Sequence, residues 1–291
     1  VVLARSLPRE PEHNINASAP APRPGARAGT GALGFRREGR KTIVSRAFAA
    51  SPLRVLMPNN HGHAAWVFLA SLGGGLVDGD RFDVRIDLEE RAAAFVGTQA
   101  STKIYRSPHG CEQTLVVQAA AGSTIAVVPD PVVCFAGARY RQRNHFALAR
   151  DASLVLLDGY TCGRGARGER WQFDLFASRT TIEKDGHALI VDACRLDPAH
   201  GPLVERMGRV DVVLSLIAIG PAFSRLREVM LSPRAAPSRG DREVVAASAV
   251  GEDAAMLRIA AERFERASYL LRPSFAALAD VLGDDPFARK W

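Results

Sequence analysis

A two-residue rhythm constrains this chain most. From Asp83 to Leu88, the apolar Val84, Ile86 and Leu88 alternate with Asp83, Arg85 and Asp87. That period marks a strand with one buried face. Further strands are predicted at Thr114–Gln118, Thr124–Val128, Ser153–Leu157, Gln172–Phe176 and Leu189–Asp192. Turn signals separate them: Pro108-His109-Gly110, Ala121-Gly122, Pro129-Asp130-Pro131 and Asp185-Gly186. The segment Thr181–Val191 reads as a hairpin that reverses at Asp185-Gly186. Many short strands with regular punctuation imply a sandwich, barrel or stacked-sheet body from about residue 35 to 231. No fixed-period repeat is visible.

The end of the chain changes character. Met256, Leu257, Ala260, Phe264, Ala267 and Leu271 recur at helical spacing, with Arg258, Glu262, Arg263, Glu265 and Arg266 opposite. This predicts an amphipathic helix from Asp253 to Leu271 that Pro273 ends or kinks. Phe275, Leu278, Val281 and Leu282 suggest a second short helix before Gly283, so the helical part spans 253–283. Ser232–Gly240 reads as a flexible link between it and the β body.

Charge is unevenly placed. Residues 1–54 hold ten Arg and Lys against three Glu, a balance of +7, and the remaining residues hold 28 of each sign. The whole excess therefore sits at the N-terminal end. A basic arm can bind nucleic acid or an anionic surface; it can equally be an unstructured tail. The Ala-, Pro-, Gly- and Arg-rich stretch from Ser18 to Leu33 favours the tail, so residues 1–34 are expected to be disordered and 35–291 to form the folded domain. A neutral body argues against nucleic-acid binding. The longest apolar stretch, Val212–Ile219, is interrupted by Ser215 and far too short to span a bilayer. With no compact apolar signal-peptide core, a cytoplasmic protein without membrane attachment is expected. Cys111, Cys134, Cys162 and Cys194 lie far apart with no C-x-x-C pair, as reduced thiols would.

No catalytic constellation stands out. There is no G-x-S-x-G elbow, no H-E-x-x-H and no P-loop. Two close pairs of soft ligands, His61 with His63 and His109 with Cys111, are metal candidates, or plain surface polar residues. Three polar clusters remain: Gly73-Gly-Gly-Leu-Val-Asp-Gly-Asp80, Thr98-Gln-Ala-Ser-Thr-Lys-Ile-Tyr-Arg106 and Gly163-Arg-Gly-Ala-Arg-Gly-Glu169. Each reads as a structural polar network or as a functional surface. An enzyme site around Asp80, Lys103, Tyr105 and Glu169 would need a pocket where two of Asp80, Lys103, Tyr105, Asp158 and Glu169 converge with perturbed pKa values.

These clusters resemble the UreD (UreH) family of urease accessory proteins. Ser51-Pro-Leu-Arg-Val-Leu with Gly73–Asp80 looks like its first block, and Thr98–Arg106, including Gln99, Lys103, Tyr105 and Arg106, like its most characteristic one. Pro129–Phe135 with Ala138–Gln142, then Gly163–Glu169 with Arg164 and Arg167, follow in order. Leu278–Gly283 with Pro286–Trp291 is similar to the family's ending. Asp130-Pro-Val-Val-Cys-Phe135 looks closer to eukaryotic members, and Asp78 stands where the family more often has a small residue. The resemblance implies a stacked, helical β fold with a few C-terminal α-helices and no catalysis. It implies binding to a UreF-type protein, recruitment of a UreG-type GTPase, and docking on apo-urease. It also implies transient passage of Ni²⁺ through a hydrated tunnel, with no tightly bound cofactor. Asp80 and Glu169 are the foremost tunnel candidates and Asp158 the next. Phe264, Leu271 and Phe275 on the C-terminal helix are candidates to form or support the partner interface.

Overall fold

A computed structural model of the chain describes residues 28–232 and 242–287. In chain order the strands begin with β1 (Ala28–Glu38), β2 (Lys41–Ala49), β3 (Leu53–Leu56), β4 (Ala65–Ser71), β5 (Arg81–Leu88) and β6 (Ala93–Thr98). Then come β7 (Lys103–Ile104), β8 (Cys111–Ala119), β9 (Thr124–Val128), β10 (Val132–Cys134), β11 (Arg139–Leu148) and β12 (Ser153–Thr161). The short β13 (Gly163–Arg164) and β14 (Glu169–Arg170) precede β15 (Leu175–Lys184) and β16 (His187–Leu196). Helix α1 (Leu203–Met207), strand β17 (Val212–Ile219) and helix α2 (Ser224–Leu231) follow. Strands β18 (Glu243–Val250) and β19 (Ala254–Ala261) and helix α3 (Phe264–Leu282) complete the order.

Two large sheets stack face to face. The first runs β16-β15-β11-β8-β5-β1-β2 and the second β18-β19-β17-β12-β9-β6-β4-β3. From β5 to β15 the chain alternates between them, and each strand lies parallel to the one a coil earlier. The expected mainly β, stacked and helical body is thus present. Its turns stack as well: Arg91 N donates to Ala121 O at 3.0 Å, and Ser153 N to Ser123 O at 2.8 Å. The hairpin reverses at Asp185 and Gly186, both at positive φ (52° and 76°), as its sequence requires.

Burial follows the two-residue rhythm. In β5, Phe82, Val84, Ile86 and Leu88 point between the sheets while the charged residues face outward. Central strands of the second sheet are buried on both faces, which is why Ala93–Val96 in β6 and Leu154–Leu157 in β12 read as continuous apolar runs. Helices α2 and α3 cover that sheet's outer face with Leu226, Met230, Leu271 and Leu278. Among the described residues no helix is long and apolar enough to cross a membrane.

Several expectations need correction. Residues 28–34 belong to β1 rather than to a disordered segment; residues 1–27 lie outside the described residues. The glycines there serve close approach: a Cβ on Gly31 would lie 2.7 Å from Leu53 Cδ2. Residues 254–261 form strand β19, so the β body extends past 231 and the helical part does not begin at 253. The apolar spacing fits both periods there, and pairing with β17 and β18 on either side decides for strand. Pro273 does not divide the helix: α3 runs unbroken through it. The carbonyl it leaves without its helical donor is that of Tyr269, a residue 55% exposed. Helices α1 and α2 had no sequence signal, and β15 starts at Leu175 rather than Gln172. Of the link at 232–240 only Ser232 lies within the described residues.

Leu271 is 2% exposed, inside the layer between α3 and the second sheet. Leu271→Ala is expected to cost about 2–5 kcal/mol, read as a lower urea midpoint with unchanged slope.

Candidate functional site

The coil encloses a cavity of about 200 Å³ between the sheets, room for several waters. Leu53, Phe82 and Val84 form its apolar wall. Thr98, Asp130 and Asp158 line it from the second sheet's side, Gln113 and Gln142 from the first, and the loop Gln99–Lys103 edges it. Inward-facing positions of β8, β11 and β12 supply Gln113, Gln142 and Asp158, because alternation aims every second residue at the opposite sheet.

One hydrogen-bonded chain crosses the interior. Gln142 Nε2 donates to Asp158 Oδ1 at 3.0 Å, and Ser178 Oγ donates to Asp158 Oδ2 at 3.1 Å. The Tyr140 hydroxyl lies 3.2 Å from both Gln113 Oε1 and Gln142 Oε1, and its single hydrogen serves one at a time. Asp158 sits deep in the fold yet keeps part of its surface on the cavity. Burial pushes its carboxyl above the usual carboxylate range, against the pull of the Gln142 and Ser178 hydrogen bonds. Opposite, Thr98 Oγ1 donates to Asp130 Oδ2 at 3.1 Å and accepts from Asp130 N at 2.8 Å. The cavity therefore offers oxygens from amides, hydroxyls and two carboxylates.

The sequence candidates fall into separate places. Thr98, Gln99, Lys103 and Asp158 line the cavity. Asp80, 3% exposed, lies outside that lining, and its Oδ2 accepts from Val77 N at 2.9 Å, fixing the turn before β5. Glu169 is clamped: its carboxylate accepts from Arg164 Nε at 2.8 Å and from Arg164 Nη2, and from Ala136 N at 3.2 Å. The Arg164 guanidinium in turn lies 4.2 Å from the Phe135 ring centroid. Tyr105 meets the same ring edge-on at 5.1 Å. Arg106 packs its stem over Gly137, and Arg167 is exposed on a 3₁₀ turn. Of Asp80, Lys103, Tyr105, Asp158 and Glu169, Lys103 and Asp158 border the cavity and the Asp158 carboxyl is raised, so two of the five share one pocket while Asp80, Tyr105 and Glu169 lie outside its lining.

The arginine pair holds the Glu169 carboxyl below its ordinary value, chiefly through the Arg164 hydrogen bond. Its stabilising contribution is present above the unfolded pKa and fades as pH falls through the lowered folded one. Urea midpoints of Glu169→Gln and the unchanged chain are therefore expected to differ most at neutral pH and converge in acid.

The soft-ligand candidates engage other groups. His109 Nδ1 lies 2.6 Å from Asp78 Oδ2, and Cys111 Sγ donates to Val77 O at 3.1 Å. Burial pushes the Cys111 thiol up to about 11, so it stays protonated at neutral pH. The His61 backbone N–H is used by Asp284, and the His63 ring, lowered in pKa by burial, packs beside Gly283. Among the described residues no group of three or more His, Cys, Asp or Glu is arranged to hold a metal ion. On α3, Leu271 is buried, Phe275 stacks on Phe287 at 4.1 Å, and Phe264 packs on the same cluster. Sequence reasoning missed Gln113, Tyr140, Gln142 and Ser178. The usable signal was Gln142 and Asn144 on the inward phase of β11, between Tyr140 and Phe146.

Next to the cavity lies an open groove walled by Val55, Leu56, Met57, Trp66 and Phe68, with Gln99 common to both. Leu56 and Met57 are 37% and 55% exposed.

Residues 27–291 match the family model described as UreD urease accessory protein. The chain is 49% identical over 286 residues to a urease accessory protein UreD of Sorangium cellulosum, covering 98% of this chain and 92% of the relative. It is 41% identical over 273 residues to that of Anaeromyxobacter sp., covering 93% and 92%. To the urease accessory protein D of Arabidopsis thaliana it is 28% identical over 292 residues, covering 89% and 99%. These bacterial relatives are the more similar, so the eukaryotic likeness of the Asp130–Phe135 block does not extend along the chain.

Proposed function

The chain belongs to the UreD family of urease accessory proteins, and on that premise we propose that it is the nickel-passing scaffold of a urease maturation assembly. UreD proteins are non-catalytic and serve urease maturation. In the proposed assembly a UreF-type protein binds this chain, a UreG-type GTPase brings nickel, and apo-urease receives it. Nickel is cargo here and no tightly bound cofactor is needed.

The cavity between the sheets carries this reading. A conduit needs ligands that are weak and spaced, because a tight imidazole or thiolate site would trap the ion. The cavity has that chemistry: amide and hydroxyl oxygens around Asp158, with Thr98 and Asp130 facing them. Asp158 is therefore the foremost passage residue, ahead of Asp80 and Glu169, whose hydrogen bonds favour structural roles. The exposed Leu56 and Met57 beside the cavity support a protein partner seated there. Phe264, Leu271 and Phe275 are proposed to support that interface from behind, since they pack on the chain's own core.

Reconstitution tests this. Apo-urease, a UreF-type protein, a UreG-type GTPase, GTP and nickel are combined with and without this chain, and the nickel content of the re-isolated urease is measured. Loading that requires the chain supports the proposal; equal loading without it removes it.

A further inference from the structure

Among the described residues α2 and α3 both pack on the second sheet, and neither covers the outer face of the first. In β11, Tyr140, Gln142 and Asn144 are buried between the sheets, so Arg141 and Arg143 face outward. In β15, Phe176, Ser178 and Thr180 are buried likewise, so Arg179 shares that outer face. The register sets Arg143 directly opposite Arg179. Neighbouring strands lie about 4.8 Å apart, and like charges facing each other across them destabilise a sheet.

Within the described residues none of these three side chains makes an ion pair or side-chain hydrogen bond. Nearby arginines of the fold are matched in some cases, Arg195 with Asp197 and Arg258 with Asp192. Glu112, the register neighbour of Arg141, accepts instead from Arg81 at 3.1 Å. Small apolar residues adjoin the cluster: Ala193 stands opposite Arg179, and Val191, further along β16, is 53% exposed.

We propose that Arg141, Arg143 and Arg179 form a docking surface for a protein that presents a cluster of carboxylates. Guanidinium forks pair with carboxylates in bidentate fashion. Arginine is enriched at protein interfaces. A nucleic-acid strand would call for stacking rings, and β11, β15 and β16 expose no Phe, Tyr or Trp side chain.

The test uses the full chain and a fluorescent hexaglutamate peptide as the carboxylate probe. Arg141→Gln/Arg143→Gln/Arg179→Gln is expected to weaken binding about tenfold or more, while the Lys triple at the same positions keeps most of it. A control of equal charge loss, Arg5→Gln/Arg9→Gln/Arg23→Gln, is expected to change it less than about twofold. If the Gln triple lowers the melting temperature, single Arg143→Gln and Arg179→Gln variants replace it. Equal losses in both triples, no peptide binding by the unchanged chain, or tighter binding of a short DNA duplex through the same arginines would each overturn the proposal.

Discussion

Asp158→Asn is expected to cut the nickel delivered to apo-urease by about tenfold or more, the equivalent of about 1.4 kcal/mol of lost ion stabilisation. The substitution keeps shape and hydrogen bonding. An Asn Oδ1 still accepts from Gln142 Nε2, and its amide nitrogen donates to Ser178 Oγ in place of the present Ser178-to-Asp158 bond. Only the charge disappears. Complex formation with a UreF-type protein should persist, so a loading defect reports the passage and not the fold.

The pH dependence gives an internal check. Burial raises the Asp158 carboxyl pKa, so the folded state binds its proton more readily than the unfolded chain does. Stability of the unchanged protein therefore declines as pH rises from the unfolded pKa through the raised folded one. Asp158→Asn has no such penalty and should be no less stable at neutral pH, with the difference closing in acid. By contrast, Asp158→Leu strands the Gln142 and Ser178 donors and is expected to cost about 1–3 kcal/mol. Full nickel loading by the Asn variant would remove Asp158 from the passage.

The second large effect is structural. Gly163→Ala is expected to destabilise the chain by about 2–5 kcal/mol, the sum of left-handed backbone strain and overpacking. Gly163 has φ of 100°, and a Cβ there would lie 2.6 Å from Cys134 O and 2.8 Å from Glu169 O. Both are backbone atoms that cannot rotate away. Cys134 belongs to β10, which pairs with β7 and β12, and Glu169 carries the Arg164 clamp. Relief by movement would thus disturb two neighbouring segments. Whole-domain stability is typically about 5–15 kcal/mol, so soluble yield and melting temperature should both fall visibly. A loss below about 1 kcal/mol would mean that the Gly163–Glu169 loop relaxes freely.

The Gly163 block also shows what kinds of information the sequence carries. Its glycines and charged residues were visible as an odd cluster and matched a family pattern. Whether its one carboxylate faces a cavity is not visible in the sequence, and in the structure Glu169 closes on Arg164 five residues back. Asp158 had the opposite history. It follows the strand signal Ser153–Leu157 with no motif around it, yet it borders the cavity. Its importance comes from Gln142 and Ser178, which lie 16 and 20 positions away in sequence.

By itself, the sequence determined the strands whose side chains alternate, as in β5 and β8, the hairpin at Asp185-Gly186, and the family to which the chain belongs. These rest on local chemistry: a two-residue period, positive φ at a tight turn, and ordered motifs. Tertiary structure alone decided that residues 254–261 are a strand, that α3 runs through Pro273, and that Asp158 rather than Asp80 or Glu169 meets the cavity. The reason is physical. Alternation fixes which residues of a strand point inward, but only the stacking of one sheet on the other fixes what they meet there.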